Sequence, residues 1–227
     1  MGSKNATELF EDKQRSLPAS SESFWTTLFA LFALHIGTGP APRGRLTVWH
    51  STDGSNAKWY APRAVRPTLD LKGLSFGSIA VEPRVLSKPL PGGGIVPPAD
   101  IGGFSPDIVI RSQSSDGNEH FIFIENKVTS EARLMDNQVE NYPRLARWLT
   151  DRNVSFDVLL LQSAGCSKAL YEQARSFQKD TWGSNFGIVL WEQVLQEMRR
   201  ISFAPIGLPV ETWQCYTAAL ETDCAQP

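Results

Sequence analysis

The chain has few cysteines, and the three that it has are poorly placed for the structures that cysteines build. Cys166, Cys215 and Cys224 are odd in number and widely spaced along 227 residues. A disulfide framework needs paired cysteines, and a structural zinc site needs closely spaced cysteines or histidines. The sequence therefore argues against a disulfide framework and against a structural zinc site. The expected location is a reducing cytoplasm.

The chain also lacks a hydrophobic run long enough to cross a membrane. The apolar stretch from Phe24 to Ile36 has only thirteen residues and contains Thr26, Thr27 and His35, whereas a transmembrane helix needs about 20. The segment before it is mixed in charge, unlike the basic start of a signal peptide. We therefore expect a soluble protein with no membrane partner, in which this stretch is a buried helix.

Three common nucleotide-binding and hydrolase motifs are missing. The chain contains no GxGxxG, no GxxxxGK followed by Ser or Thr, and no GxSxG. A small-molecule enzyme with an unrelated α/β fold therefore has no support in the sequence.

Positive charge is not in excess either. The net charge is -2 and the isoelectric point is near 6.0, so any nucleic acid would have to be bound by a local basic surface. Arg144 and Arg147 are the preferred candidates for such a substrate-binding surface. Each could equally be an ordinary solvated side chain.

Two apolar runs with ionisable residues at their ends are the most informative feature that the chain does contain. The first run follows Asp107, and the second, Phe121 to Lys127, ends in Glu125, Asn126 and Lys127. Their β-branched and aromatic residues, and the Asp-Gly pair at 116–117 between them, predict an antiparallel hairpin. A period of two then places Glu125 and Lys127 on one face of the second strand and Asn126 on the other.

Charged side chains at the ends of core strands need a partner, because a buried charge is costly unless it is paired or binds a metal. If Asp107 lies beside Glu125 across the hairpin, two carboxylates can hold Mg2+ or Mn2+ through oxygen. The Lys127 ammonium could then position or activate water, or stabilise charge on a phosphate. Two other interpretations stay open, namely a simple turn at Asp107 and a solvated ion pair between Glu125 and Lys127.

The order Pro106-Asp107 followed by Glu125-Asn126-Lys127 resembles the signature of the PD-(D/E)XK nuclease superfamily, which has the restriction-endonuclease-like fold. Downstream, Gln138 to Tyr142 resembles the QxxxY motif of its RecB-type members, and a spacing of four puts both side chains on one helical face.

The resemblance implies that Asp107, Glu125 and Lys127 are catalytic, with the two carboxylates as metal ligands. It also implies that Gln138 and Tyr142 contact a nucleic-acid backbone or buttress the lysine. An ordinary amphipathic helix with a half-buried tyrosine is the alternative for these last two residues.

The expected order of elements matches the αβββαβ core of that superfamily, an α/β fold with a mixed central sheet flanked by helices. Pro83 indicates either an edge position or a bulge for its strand, and the connection after Lys127 is long enough for a parallel crossover. Helices are expected over about 22–35, 131–149, 168–179 and 192–201, and strands over 46–50, 79–85, 107–110, 121–127, 156–161 and 186–191. The predicted organisation is a polar segment 1–20, a nuclease-like domain 21–205 with a Gly/Pro-rich loop 89–103, and a C-terminal helix and tail 206–227.

Two features leave the details of the site open. Many members of the superfamily add an acidic residue to the metal site, and Glu22 or Glu82 could fill that place. Glu22 could instead be an acid favoured by the dipole at a helix start. Pro143, directly after Tyr142, is expected to kink or restart the helix.

The resulting hypothesis is a Mg2+- or Mn2+-dependent nuclease that hydrolyses phosphodiester bonds in nucleic acid, with DNA favoured. The alternative is a catalytically silent nuclease-fold module for nucleic-acid or protein binding in a defence or mobile-element system. A chain with one site would need to form a homodimer to cut both strands concertedly. No dimerisation signature is visible, so the oligomeric state stays open.

Overall fold

The computed structural model describes residues 22–38, 46, 48–50, 63–66, 71, 74, 76–81, 90–91, 97–98, 101, 105–113, 117–128, 132–163, 168–177, 185–203, 214 and 218. These residues form an α/β protein in which a mixed sheet is flanked by helices, as the sequence predicted at this level. The helices are α1 (Glu22–Gly37), α2 (Asp136–Thr150), α3 (Lys168–Phe177) and α4 (Trp191–Arg200). The strands are β1 (Val48–His50), β2 (Arg63–Arg66), β3 (Ile79–Val81), β4 (Ile108–Gln113), β5 (Glu119–Lys127), β6 (Ser155–Gln162) and β7 (Phe186–Leu190).

The sheet has the strand order β2-β1-β7-β6-β5-β4-β3. Strands β4 and β5 pair antiparallel, with Ile108 opposite Ile124, which confirms the predicted hairpin. Strand β6 runs parallel to both β5 and β7, which confirms the predicted crossover through α2. The short strand β3 pairs with β4 at the end of the strand order, an edge position, which is one of the two alternatives that Pro83 indicated.

Two apolar layers cover the two faces of the sheet, because the side chains of each strand alternate between them. On one face, Ile122 and Ile124 of β5 pack with residues of α1 and α4. On the other face, Phe121 and Phe123 pack with residues of α2 and α3. Helices on both faces explain why β5 and β6 read as continuous apolar runs.

Helix α1 is buried around almost its whole circumference, as its apolar sequence requires. It ends at Gly37, where a Cβ atom would lie 2.3 Å from the Leu71 carbonyl oxygen, so only glycine fits this close approach. Among the residues that the structure describes, no helix combines the length and apolar character needed to span a bilayer.

Helix α2 differs from its prediction in two respects. It begins at Asp136 rather than near Glu131, and it continues through Pro143 to Thr150. Proline removes the hydrogen bond to the carbonyl four residues earlier, here that of Val139. The buried side of α2, which carries Tyr142 and Leu145 in the core, stabilises the helix in spite of that loss.

Several predicted features lie outside the described residues. They are the polar segment 1–20, Glu82, most of the loop 89–103 and most of the C-terminal stretch 206–227.

Candidate metal centre

Three carboxylates from distant parts of the chain meet where β5 ends. They belong to Glu22 at the start of α1, Asp107 just before β4, and Glu125 near the end of β5, and their nearest oxygens lie within 4.8 Å of one another. The antiparallel register continues from the Ile108–Ile124 pair to place Asp107 opposite Glu125. Directly opposite residues in an antiparallel pair project to the same face, which is the geometry that the hairpin argument required.

Asp107 is fixed by the backbone of the neighbouring strand. Its Oδ2 atom accepts a hydrogen bond of 2.7 Å from the backbone N–H of Asn126. Because that donor is part of β5, the carboxylate is tied to the strand that also carries Glu125 and Lys127.

Glu125 accepts hydrogen bonds on both carboxylate oxygens, although it is only 2% exposed. Gln138 Nε2 donates to Oε1 at 2.5 Å, and the Tyr142 hydroxyl donates to Oε2 at 2.8 Å. Lys127 Nζ lies 2.7 Å from Oε1. This network satisfies a carboxylate that would otherwise be expensive to bury.

The start of α2 orients the Gln138 amide. Its Oε1 atom accepts a hydrogen bond of 2.9 Å from the backbone N–H of Met135, a group that the helix itself leaves without a partner. The amide nitrogen is therefore turned toward Glu125. Gln138 and Tyr142 lie one turn apart on one helical face, as the sequence predicted, and both side chains donate to Glu125. At 3% and 1% exposed, they offer little surface to a substrate.

Lys127 bridges two of the carboxylates. Its Nζ atom donates to Glu22 Oε1 at 3.0 Å and lies 2.7 Å from Glu125 Oε1. Burial alone would lower the pKa of Lys127, but the carboxylates of Glu125, Glu22 and Asp107 outweigh that effect and raise it above its ordinary value. Lys127 is therefore a positively charged donor in the metal-free protein.

The carboxyl groups resist ionisation where they are buried. Burial raises the pKa of Asp107 well above its usual range, and repulsion from Glu125 raises it further, against the opposing effects of Lys127 and the Asn126 N–H. Burial also raises the pKa of Glu125, with Lys127 and Tyr142 acting in the opposite direction. Burial and the nearby carboxylates raise the pKa of Tyr142 as well, so its hydroxyl stays a donor.

The donor set suits a hard divalent cation. Mg2+ binds oxygen at about 2.1 Å, so two oxygens on one ion lie at most about 4.2 Å apart. Oxygens that span no more than 4.8 Å need to draw together by only about 0.6 Å to share such an ion. A bound cation would also offset the repulsion that raises the pKa of Asp107. The three carboxylates could therefore hold a metal ion.

Other predicted site residues lie elsewhere. Arg144 and Arg147 are on the exposed side of α2, away from the side that carries Gln138 and Tyr142. The arginines are thus outside the carboxylate cluster, and their contact with a substrate stays a prediction.

His120 lies at the opposite end of β5 from the carboxylate cluster. Its ring nitrogens contact Ser155 Oγ at 2.7 Å and Asp157 Oδ2 at 2.8 Å. These contacts join the starts of β5 and β6, and they are remote from the carboxylate cluster.

The sequence did not reveal the residues on the far face of β5 that support the site. The Asn126 side chain contacts Thr26 of α1 and Trp191 of α4, about 100 and 65 positions away along the chain. Strand alternation correctly predicted that Asn126 faces away from Glu125. No local pattern identified its partners.

Fold and site together define an α/β protein with a carboxylate cluster, at the end of a central strand, that could bind a metal ion. Comparisons with models of protein families, with curated proteins and with solved structures gave no match.

Proposed function

We propose that this chain is a Mg2+- or Mn2+-dependent nuclease that hydrolyses phosphodiester bonds in nucleic acid, with DNA favoured. The observation that carries the proposal is the convergence of Asp107 and Glu125 with the buried ammonium of Lys127, 2.7 Å from the Glu125 carboxylate. These residues are the ones that resemble the PD-(D/E)XK signature, and they come from segments that are separate in the sequence.

The arrangement of elements also supports the proposal. The succession α1, β3, β4, β5, α2, β6 follows the αβββαβ order of the restriction-endonuclease-like core. The short strands β1 and β2 are additions between α1 and β3. In a core of that kind, the proposed metal ligands Asp107 and Glu125 belong to the carboxylate cluster.

Asp107, Glu125 and Glu22 would hold the cation, which when bound would supply Lewis-acid activation of the phosphate and lower the pKa of a water molecule. Asp107 directly precedes β4 and Glu125 belongs to the neighbouring strand β5, so the pairing of β4 with β5 sets the separation of the two carboxylates. Gln138 and Tyr142 keep the Glu125 carboxylate in one orientation, which corresponds to the supporting hydrogen bonds common around metal ligands.

Lys127 would act as a charged donor. Because neighbouring carboxylates raise its pKa, it is poorly suited to accept a proton from water in the metal-free state. An ammonium whose side chain is only 8% exposed is well suited to stabilise negative charge that develops on a phosphate, or to orient a water by donating to it.

A second candidate function, a catalytically silent module of the same fold, is favoured by one observation. The chain's own donors already satisfy the Glu125 carboxylate and the Lys127 ammonium, so the cluster can persist as an internal salt-bridge network. Thermal unfolding with added Mn2+ separates the two functions, because only a site that binds the ion raises the stability of the native state.

The nuclease proposal is tested by incubating labelled DNA with the protein and Mg2+ or Mn2+. Asp107→Asn removes one ligand charge at constant shape, and Lys127→Met removes the ammonium but keeps the hydrocarbon stem. We expect each to reduce cleavage by at least about a thousandfold, while Asp151→Asn, at an exposed position after α2, retains activity. Undiminished cleavage by either variant would contradict the assignment.

A further inference from the structure

Asn126 lies between Glu125 and Lys127 in the sequence, but its side chain is on the other face of β5 and is fully buried. Its amide makes three contacts there. Nδ2 donates to the Glu22 carbonyl oxygen at 3.2 Å and to Thr26 Oγ1 at 2.9 Å, and Oδ1 accepts from the indole N–H of Trp191 at 2.8 Å. One side chain thus joins β5 to the first turn of α1 and to the start of α4.

The Trp191 contact identifies which amide atom is the oxygen, and the two acceptors on α1 require the same orientation. An indole nitrogen can only donate, so the amide atom that faces it has to be Oδ1, and Nδ2 has to face α1. Trp191 itself is held rigidly, since it is fully buried and its ring packs edge-on against Trp25 and Phe29 of α1.

The two acceptors on α1 are one helical turn apart. Glu22 and Thr26 differ by four positions, so they lie on the same side of the helix. Two contacts at this spacing fix both the rotation of α1 and its position along its axis. The side chain of Glu22 is 48% exposed and is weakly held by packing, so its location depends on where α1 begins.

We propose that Asn126 is a positioning residue for the metal centre, whose side-chain amide holds the start of α1 so that the Glu22 carboxylate stays within reach of the cation. This inference rests on the metal-dependent function proposed above. The same residue fixes Asp107, but through its backbone N–H. Substituting the side chain therefore disturbs Glu22 and leaves the hydrogen bond to Asp107 in place.

The experiment is a calorimetric titration of the full chain with Mn2+, using wild type, Glu22→Gln, Asn126→Ala and the double variant. We expect each single variant to weaken Mn2+ binding about tenfold, as loss of a supporting group typically does. Because both act through Glu22, the double variant should bind Mn2+ as Glu22→Gln does. The proposal would be overturned if the loss of Mn2+ affinity in the double variant equals the product of the two single losses. It would also be overturned if Asn126→Ala binds Mn2+ as tightly as wild type.

Two further variants separate positioning from general stability. Asn126→Asp keeps the shape and the contact with Trp191 but turns an acceptor oxygen toward the Glu22 carbonyl, so we expect Mn2+ affinity to fall about as far as in Asn126→Ala. Trp191→Phe removes a buried hydrogen bond but leaves Nδ2 its acceptors on α1. It should lower the thermal midpoint and keep Mn2+ affinity within about twofold of wild type. If Mn2+ affinity falls in proportion to thermal stability across these variants, Trp191→Phe included, the proposal is overturned.

If Asn126→Ala does not fold, Thr26→Val replaces it, because it removes one of the two α1 acceptors at nearly constant volume. A loss of Mn2+ affinity of at least about twofold supports the proposal, and unchanged affinity overturns it. Wild type that binds no Mn2+ would refute the metal-dependent function and this inference together. Wild-type affinity in Glu22→Gln would refute this inference alone, and the site formed by Asp107 and Glu125 would stand.

Discussion

Replacing Asp107 by Asn should stabilise the metal-free protein while it weakens metal binding. The substitution keeps an oxygen that can accept from the Asn126 N–H, so the tie between β4 and β5 persists. It removes one negative charge from a cluster whose ligand oxygens lie within 4.8 Å of one another. At that distance and an effective dielectric constant of about 20, two like charges repel by about 3.5 kcal/mol.

Asp107 faces two carboxylates and one ammonium. The attraction to the ammonium cancels about one of the two repulsions, so Asp107→Asn removes the repulsion of about one pair of like charges. Solvent around Glu22 screens this repulsion further. We therefore expect Asp107→Asn to raise the free energy of unfolding by about 1–3 kcal/mol without metal. Wild type should gain about 2.7 kcal/mol when free Mn2+ is a hundred times its Kd, and the variant should gain less than about 1 kcal/mol at the same concentration.

Urea unfolding with and without Mn2+ measures both effects. Asp151→Asn is the matched control, since the same change at an exposed position should alter stability by no more than about 0.5 kcal/mol. If Asp107→Asn is less stable than wild type without metal, the carboxylate cluster is not repulsive. If it gains as much from Mn2+ as wild type does, Asp107 is not a ligand.

Of three further predictions, two concern groups of this site and one concerns a group remote from it. Tyr142→Phe removes the hydroxyl that donates to Glu125 and should lower the free energy of unfolding by about 1.5 kcal/mol in urea, whereas unchanged stability would show that the hydrogen bond contributes nothing. Because burial and neighbouring charge raise the pKa of Asp107 in the folded protein, the native state holds a proton that the unfolded state has released once pH rises above about 4. The stability of metal-free wild type relative to Asp107→Asn should therefore fall as pH rises above about 4. Mn2+ affinity should rise over the same range, because the metal binds the ionised carboxylate. A relative stability that increases with pH would contradict a raised pKa for Asp107. His120→Ala removes the imidazole that contacts the buried Asp157 carboxylate at 2.8 Å and should lower the free energy of unfolding by about 1–3 kcal/mol. Mn2+ binding should be unchanged, because about 20 Å of β5 separates His120 from Lys127, and weaker Mn2+ binding would contradict this separation.

Local patterns in the sequence were sufficient to predict the hairpin and the face on which its charges lie. A turn signal and a period of two predict that β4 pairs with β5, with Glu125 and Lys127 on one face and Asn126 on the other. The position of Asp107 opposite Glu125 was a condition of the hypothesis, and the register of the structure meets it. These inferences hold because register within a hairpin is set by residues close in sequence, and a slip by one position would move every side chain to the wrong face.

The partners of those side chains could not be predicted, because they depend on contacts between distant segments. A helical period placed Gln138 and Tyr142 on one face, but only the packing of α2 on the sheet shows that both donate to Glu125. The possible restart of the helix at Pro143 did not occur, since the buried side of α2 keeps the helix continuous through the proline.

The support that Asn126 receives from Trp191 leaves no trace in a single sequence. An Asn in the middle of a strand and a Trp at the start of a helix are each unremarkable on their own. Their contact follows from the crossover order of the sheet, which brings the end of β5 and the start of α4 together beside α1.

The proposed nuclease requires that carboxylates from α1, β5 and the residue before β4 form one site for a catalytic divalent cation. A crystal soaked in Mn2+, measured at a wavelength where manganese scatters anomalously, tests it most directly. We expect one anomalous peak bonded at about 2.1–2.2 Å to oxygens of both Asp107 and Glu125, with Glu22 bound directly or through water. An ion that contacts neither Asp107 nor Glu125, or a site that stays empty at saturating Mn2+, would contradict the claim.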